Sequence, residues 1–176
     1  MKGGTLITRT GYTVRKLISP QCNLWKSQFP VYAAIDYRLA EMYLNYSEAL
    51  NEYDPQNPDI AKYINLIRER AGIPALIATI TSSQALMRNA IRHERRVEMA
   101  FDNHRPFDVR RWKVLDKASG WIHGMNMSRG TTWQDPAFFV RTRVEQRAFD
   151  PAKYYLWPIE NNELDRNTLM VQNPGW

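Results

Sequence analysis

HERRVEMAFDNHRPFDVRRW, residues 93 to 112, is the stretch from which the rest of the chain is read. It carries five arginines, four acids and two of the chain's three histidines, interleaved with Val97, Phe101, Phe107 and Trp112. On a helical wheel of ~100° per residue, the run from Leu86 to Phe101 gathers Leu86, Met87, Ala90, Ile91, Val97 and Phe101 on one arc of roughly 140°. Glu94 and Glu98 fall inside that arc, while Arg92, Arg95 and Arg96 fall outside it. The pattern therefore turns two carboxylates toward the interior.

An ionised carboxylate buried alone costs several kcal/mol, so each of these acids needs a guanidinium. Arginine suits the task because its planar fork bonds a carboxylate with two donors and stays charged when desolvated. The segment that follows the helix offers Arg105, Arg110 and Arg111, and the expected outcome is a structural charge network of Glu94, Glu98, Arg105, Asp108 and Arg111. The rival reading is a glycoside hydrolase, because acids at i and i+4 have Cβ atoms ~6 Å apart, near the carboxyl spacing of a retaining enzyme. Hydrolysis needs carboxylates on different sides of the scissile bond, whereas neighbours on one helix face point the same way. No catalytic residue is assigned.

Upstream, Leu39, Tyr43, Tyr46, Leu50 and Tyr53 recur at spacings of three and four, with Glu41, Glu48 and Glu52 opposite, which predicts an amphipathic helix after Pro30. Its tyrosine stripe is read as core. DPQNPD breaks the pattern, with Asn57 as a cap and Pro58 at the first position of a second helix. Ile60, Tyr63, Ile64, Ile67 and Ala71 form that helix's stripe, and Gly72 with Pro74 ends it. The short connection predicts an antiparallel hairpin, nearly the length of a tetratricopeptide repeat of ~34 residues. A third helix opens at residues 81–83 and runs to about Phe101.

Downstream, VLDKA reads as a helical turn and SGWIHGMNMSRGTTWQDP as a loop. PAFFVRTRVEQRAF alternates Val140, Thr142 and Val144 with Arg141, Arg143 and Glu145 and predicts a half-exposed strand. GYTVRKLISP near the start predicts a second short strand, and a helical turn is expected at Asn162 to Asp165. The fold class is mainly α: a tetratricopeptide-like hairpin, a third long helix, long loops and a small β element.

Composition bounds the function. At 176 residues, 44% hydrophobic and 24% charged, the chain suits one globular domain spanning 1–176 and argues against disorder. A net charge of +6 keeps nucleic acid open as a partner, with RRW and FVRTR as its best contacts. Several of those arginines have acids nearby, so no nucleic acid partner is expected. One cysteine, Cys22, excludes an intrachain disulfide. His93, His104 and His123 fit no metal-binding spacing, and Val97 stands where a zinc motif would need its second histidine. Nucleophile-elbow, P-loop and dinucleotide patterns are absent, and neither metal nor cofactor is expected. No run of eighteen apolar residues and no secretory h-region occur, so the chain alone is expected to be soluble.

Four blocks resemble the C-terminal part of the SusD/RagB family of outer-membrane nutrient-binding lipoproteins. They are GYTVRKL, then YRLAEMYLNYSEALNE with INLIRERAGIP, then ERRVEMAFDNHRPFDVRRW, and finally YYLWPIENNELDRNTLMVQNPGW. The third is the most specific, through Glu94, Arg95, Arg96, Glu98, Ala100, Phe101, His104, Arg105, Phe107, Asp108, Arg111 and Trp112. The chain departs where the family usually has glutamate and glycine, at Asp102 and Asn103, and where it commonly has an aromatic, at Pro106. The resemblance implies a tetratricopeptide-like fold, capture of a glycan or other nutrient without bond cleavage, a lipid anchor on the outer surface of the outer membrane, and a TonB-dependent transporter as partner. It also implies that the chain is a fragment, with signal, lipidated cysteine and most ligand contacts upstream. Within the chain, Trp121 and Trp133 are the residues most open to sugar, because an indole face packs on a pyranose ring.

Overall fold

The computed structural model describes residues 8–16, 18–31, 35–118, 120–126, 129, 132 and 134–176. They form two compact units, one of residues 19–105 and one of the described residues up to Ile18 together with Pro106–Trp176.

The first unit is helical. After a 3-10 turn at Leu24–Lys26 it contains α1 (Leu39–Tyr53), α2 (Asp59–Arg70), the single turn α3 (Ala78–Thr81) and α4 (Gln84–Glu98). Asn57 Oδ1 accepts from the Asp59 amide at 3.1 Å, so the predicted cap works from just outside the helix. Gly72, at φ 71°, closes α2 in the left-handed conformation that glycine adopts at least cost. Ser83 caps α4 by accepting from the Leu86 amide.

α1 and α2 run antiparallel, with Tyr43 against Tyr63 and the Ser47 hydroxyl on the Ile60 carbonyl, and they form the expected tetratricopeptide-like hairpin. α4 lies antiparallel against α1, with Gln84 at Asn51 and Arg95 at Asn45. One apolar cluster joins Ala40, Leu44, Ile67 and Met99; a second joins Ile60, Ile64, Met87 and Ile91. Each fully buried isoleucine or leucine contributes on the order of 1.5–3 kcal/mol.

Both the first and third helices are rotated from the sequence reading. α1 buries Ala40, Glu41, Leu44, Ser47 and Asn51, whereas Leu39, Tyr46 and Tyr53 are exposed, so most of the tyrosine stripe is surface rather than core. α1 meets α2 on one side and α4 on the other, and small side chains let both neighbours approach. The Ser47 hydroxyl donates there to the Ile60 carbonyl and Asn51 Nδ2 to the Gln84 carbonyl, while Asn51 Oδ1 is buried without a hydrogen-bond donor among the described residues. α4 buries Met87, Ile91, Glu94 and Arg95 and leaves Leu86, Val97 and Phe101 exposed, a turn of the buried arc by about 60°.

The second unit holds α5 (Arg105–Arg111, reaching back one residue into the first), a 3-10 turn at Asp116–Ala118, β1 (Gly120–Gly124), a 3-10 turn at Pro136–Phe139, β2 (Thr142–Arg147), α6 (Pro151–Tyr154) and α7 (Asn161–Arg166). β2 is the predicted strand, and α7 the predicted turn. β1 corrects the loop reading of residues 119–136: it pairs antiparallel with β2, Trp121 opposite Gln146, with an irregularity between Ile122 and His123. The predicted strand at GYTVRKLISP is absent among its described residues; instead the Thr10 carbonyl accepts from the Met125 amide at 2.9 Å.

That contact brings backbone against backbone. A Cβ at Gly124 would lie 2.6 Å from Thr10 Cα and 2.9 Å from Val144 Cγ2. Gly124→Ala must displace the Thr10 segment, and a loss of about 1–3 kcal/mol is expected, read as a lower urea midpoint.

Candidate functional site

Glu94 and Glu98 are both withdrawn from solvent, and each meets arginines that come before it in the chain. Arg68 of α2 donates to Glu94 Oε2 at 2.7 Å. Glu98 Oε1 accepts from Arg70 at 2.6 Å and from Arg38, which stands one residue before α1. Arg38 also bonds the Glu98 backbone carbonyl and reaches Asp102 Oδ2 at 2.8 Å. The sequence reading sought these donors at 105–111. In that segment Arg111 pairs with buried Asp108, three residues before it, at 2.9 Å. The partners from α2 and the start of α1 have a simple cause: the hairpin brings the end of α2 and the start of α1 to one end of α4, and no helical wheel of α4 contains that information.

Arg95, expected at the rim, is buried and donates to Asn45 Oδ1 at 2.5 Å. Burial raises the Glu98 carboxyl, but the bonds from Arg38 and Arg70 outweigh it and hold the group below its ordinary value. Burial likewise lowers Arg38, and its bonds to Glu98 and Asp102 reverse this and raise it.

The cluster locks one end of the helical unit. Glu94 is bonded to Arg68 and Glu98 to Arg38 and Arg70, and these bonds favour the charged form of Glu98. Just past α4, Asn103 takes φ 61° where the resembled family usually has glycine; asparagine tolerates this conformation better than most residues. Asp102, where the family has glutamate, still reaches Arg38.

The tryptophan candidates fare differently. Trp121 lies on β1 rather than in a loop, 43% exposed, with the Arg143 guanidinium 5.2 Å from its ring centroid. Trp133 lies outside the described residues. His104 Nε2 stands 3.6 Å from buried Glu41, and His123 Nδ1 lies 3.2 Å from Arg141 Nη2. Among the described residues no group of three or more His, Cys, Asp or Glu is placed to hold a metal. No helix among them is long and apolar enough to cross a membrane.

Sequence reading passed over Trp157 and Trp176. The Arg110 guanidinium stacks 4.4 Å from the Trp157 centroid, and the Lys153 ammonium lies 4.1 Å from that of Trp176. The signal was present as aromatics spaced through the last block, but nothing in one sequence tells a platform from packing.

A SusD family model matches residues 2–176. The chain belongs to the SusD family. SusD-like protein P2 of Formosa agariphila is 32% identical over 148 residues, which cover 81% of this chain and 26% of that protein. Among solved structures, BT4246 is 31% identical at a TM-score of 0.80, over 96% of this chain and 30% of its own. A SusD-like protein of Bacteroides fragilis is 34% identical at 0.67, over 81% and 26%. The SusD-family chain thus spans between a quarter and a third of the length of the relatives it matches.

Two predictions follow from the charge cluster. Glu94→Ala strands Arg68 and should cost about 3 kcal/mol, whereas the double replacement Glu94→Met with Arg68→Met should recover most of it, as read by chemical denaturation. Because the folded pKa of Glu98 lies below its ordinary 4.5, its contribution is present above that value and lost as pH falls through the folded one. Urea midpoints between about pH 6 and pH 3 should therefore drop more steeply for the wild-type chain than for Glu98→Gln.

Proposed function

We propose that residues 1–176 are one domain, the C-terminal part, of a non-catalytic protein that binds a nutrient, most simply an oligosaccharide, for uptake across the outer membrane. The observation that carries this reading is family membership over residues 2–176. The full-length protein would stand lipid-anchored on the outer surface, by a part outside these residues, and hand its ligand to a TonB-dependent transporter. The geometry supports a supporting role for the segment: its sharpest charged cluster is consumed in holding α1, α2 and α4 together.

Sugar affinity needs several stacked and hydrogen-bonded contacts at once, because immobilising a ligand costs several kcal/mol before net binding appears. The expectation is that the full-length protein binds an oligosaccharide and that the 176-residue chain binds it weakly. Calorimetric titration of both against a glycan panel checks this, and neither should release reducing sugar. Reducing-sugar release abolished by Glu98→Gln in a folded variant would replace binding by hydrolysis. Salt-dependent affinity of the chain for single-stranded oligonucleotide would favour the nucleic acid reading.

A further inference from the structure

At the end of the second unit, Pro158, Ile159, Glu160, Asn161, Gln172 and Trp176 line a hollow of about 480 Å³. The hollow is shallow and open to solvent, so it suits covering one face of a small ligand rather than enclosing it. Its walls are held rigidly. The Gln172 side chain accepts from the Ile159 and Asn173 amides at 2.8 and 2.9 Å and donates to the Ile159 carbonyl at 2.9 Å. Asn173 Nδ2 bonds the Trp157 carbonyl at 2.6 Å.

Trp176 is fixed as firmly. Its Nε1–H is shared between the Lys153 and Leu156 carbonyls at 3.1 and 3.2 Å, and Tyr154 meets the ring edge-on. A Cβ on Gly175 would come within 3.0 Å of Lys153 Cβ, so the chain before the ring sits hard against α6. Trp176 is nevertheless 42% exposed as a residue. An aromatic whose polar edge is already satisfied, and whose rotamer is already settled, loses little entropy when a ligand covers it.

The charges around the hollow select the ligand. A cation would be repelled by the Lys153 ammonium at the ring. An anion would meet the Glu160 carboxylate. A neutral ligand with an apolar C–H face and several hydroxyls meets neither objection, since its face covers the indole while the Glu160 carboxylate and the Asn161 amide take its hydroxyls. We propose that this hollow is a binding subsite for one neutral pyranose unit. The choice of a sugar among neutral polyols rests on the proposed glycan-binding function; the location and the neutrality rest on the hollow itself.

The test is an amide and indole NMR titration of the 176-residue chain with methyl glycosides of glucose, galactose and mannose, with choline and inorganic sulfate as charged probes. At least one glycoside should shift the Trp176 indole and the 159–161 and 172 amides, saturating in the millimolar range expected of a single stacked unit. Asn161→Ala, at an exposed position that leaves the Trp176 anchor intact, should weaken this about three- to ten-fold, and Trp176→Ala should abolish it. Absence of these shifts with all three glycosides at about 50 mM, tighter binding of choline or sulfate, or shifts unaffected by Asn161→Ala would overturn the subsite. Glycan binding by the full-length protein with a silent hollow removes the subsite alone. A responsive hollow in a full-length protein that binds no glycan removes the proposed function and leaves the subsite.

Discussion

The helical unit depends on the neutralisation of two carboxylates at one end of α4. Glu94 and Glu98 project into the space where α2 and the start of α1 converge, and there they meet Arg68, Arg70 and Arg38. Arg38 matters most because it ties three places at once, the Glu98 carboxylate, the last carbonyl of α4 and Asp102 beyond it. A helix C-terminus leaves carbonyls without intrahelical donors, and a guanidinium, with five N–H donors in a planar fork, serves carbonyl and carboxylates together. Apolar contacts in the same unit tolerate many residue choices; this arrangement tolerates few.

The constraint acts together with the composition of α1. Ala40, Ser47 and Asn51 occupy its buried face, where the Ser47 hydroxyl and the Asn51 amide N–H bond backbone carbonyls of the neighbouring helices. Close approach in turn fixes the distance from Arg38 and Arg68 to α4, so the packing of α1 and the geometry of the ion pairs set one another. Tyr43, half-buried against the first apolar cluster, has Tyr63 tilted on its ring, and exposed Tyr46 meets Tyr63 edge-on.

The second unit is held differently, by contacts between residues far apart in the chain. The backbone at Thr10 lies against Gly124, Arg110 donates to the Tyr154 carbonyl, and Trp176 is anchored on α6. Its described strands and helices are short, none longer than seven residues, so the hydrogen bonds of tail and loop segments do the organising. Such a surface can hold aromatic rings at fixed positions without a large core beneath them, which is what a shallow ligand hollow requires.

Helix existence, type and approximate bounds were legible in the sequence, because periodicity and capping chemistry are local: Ile60, Ile64 and Ile67 are buried as their spacing required, and Gly72 ends α2 where expected. Membership of the family was legible too, since its blocks are linear motifs in matching order. The interior position of Glu94 and Glu98 followed from the wheel. Their partners did not, because Arg68 lies 26 residues before Glu94 and Arg38 lies 60 before Glu98, and only the hairpin makes them neighbours. The rotation of α1 and α4 escaped for a related reason: a face pressed between two helices favours small and paired polar residues, which hydrophobic periodicity scores as surface. β1 was hidden because GWIHG has no alternation of its own and becomes a strand only when β2 supplies its hydrogen bonds. The local chain thus determined which segments are helical and that two acids turn inward, while tertiary packing alone decided which arginines meet them, which face of each helix is buried and where Trp176 stands, since each of these depends on atoms brought together from distant parts of the sequence.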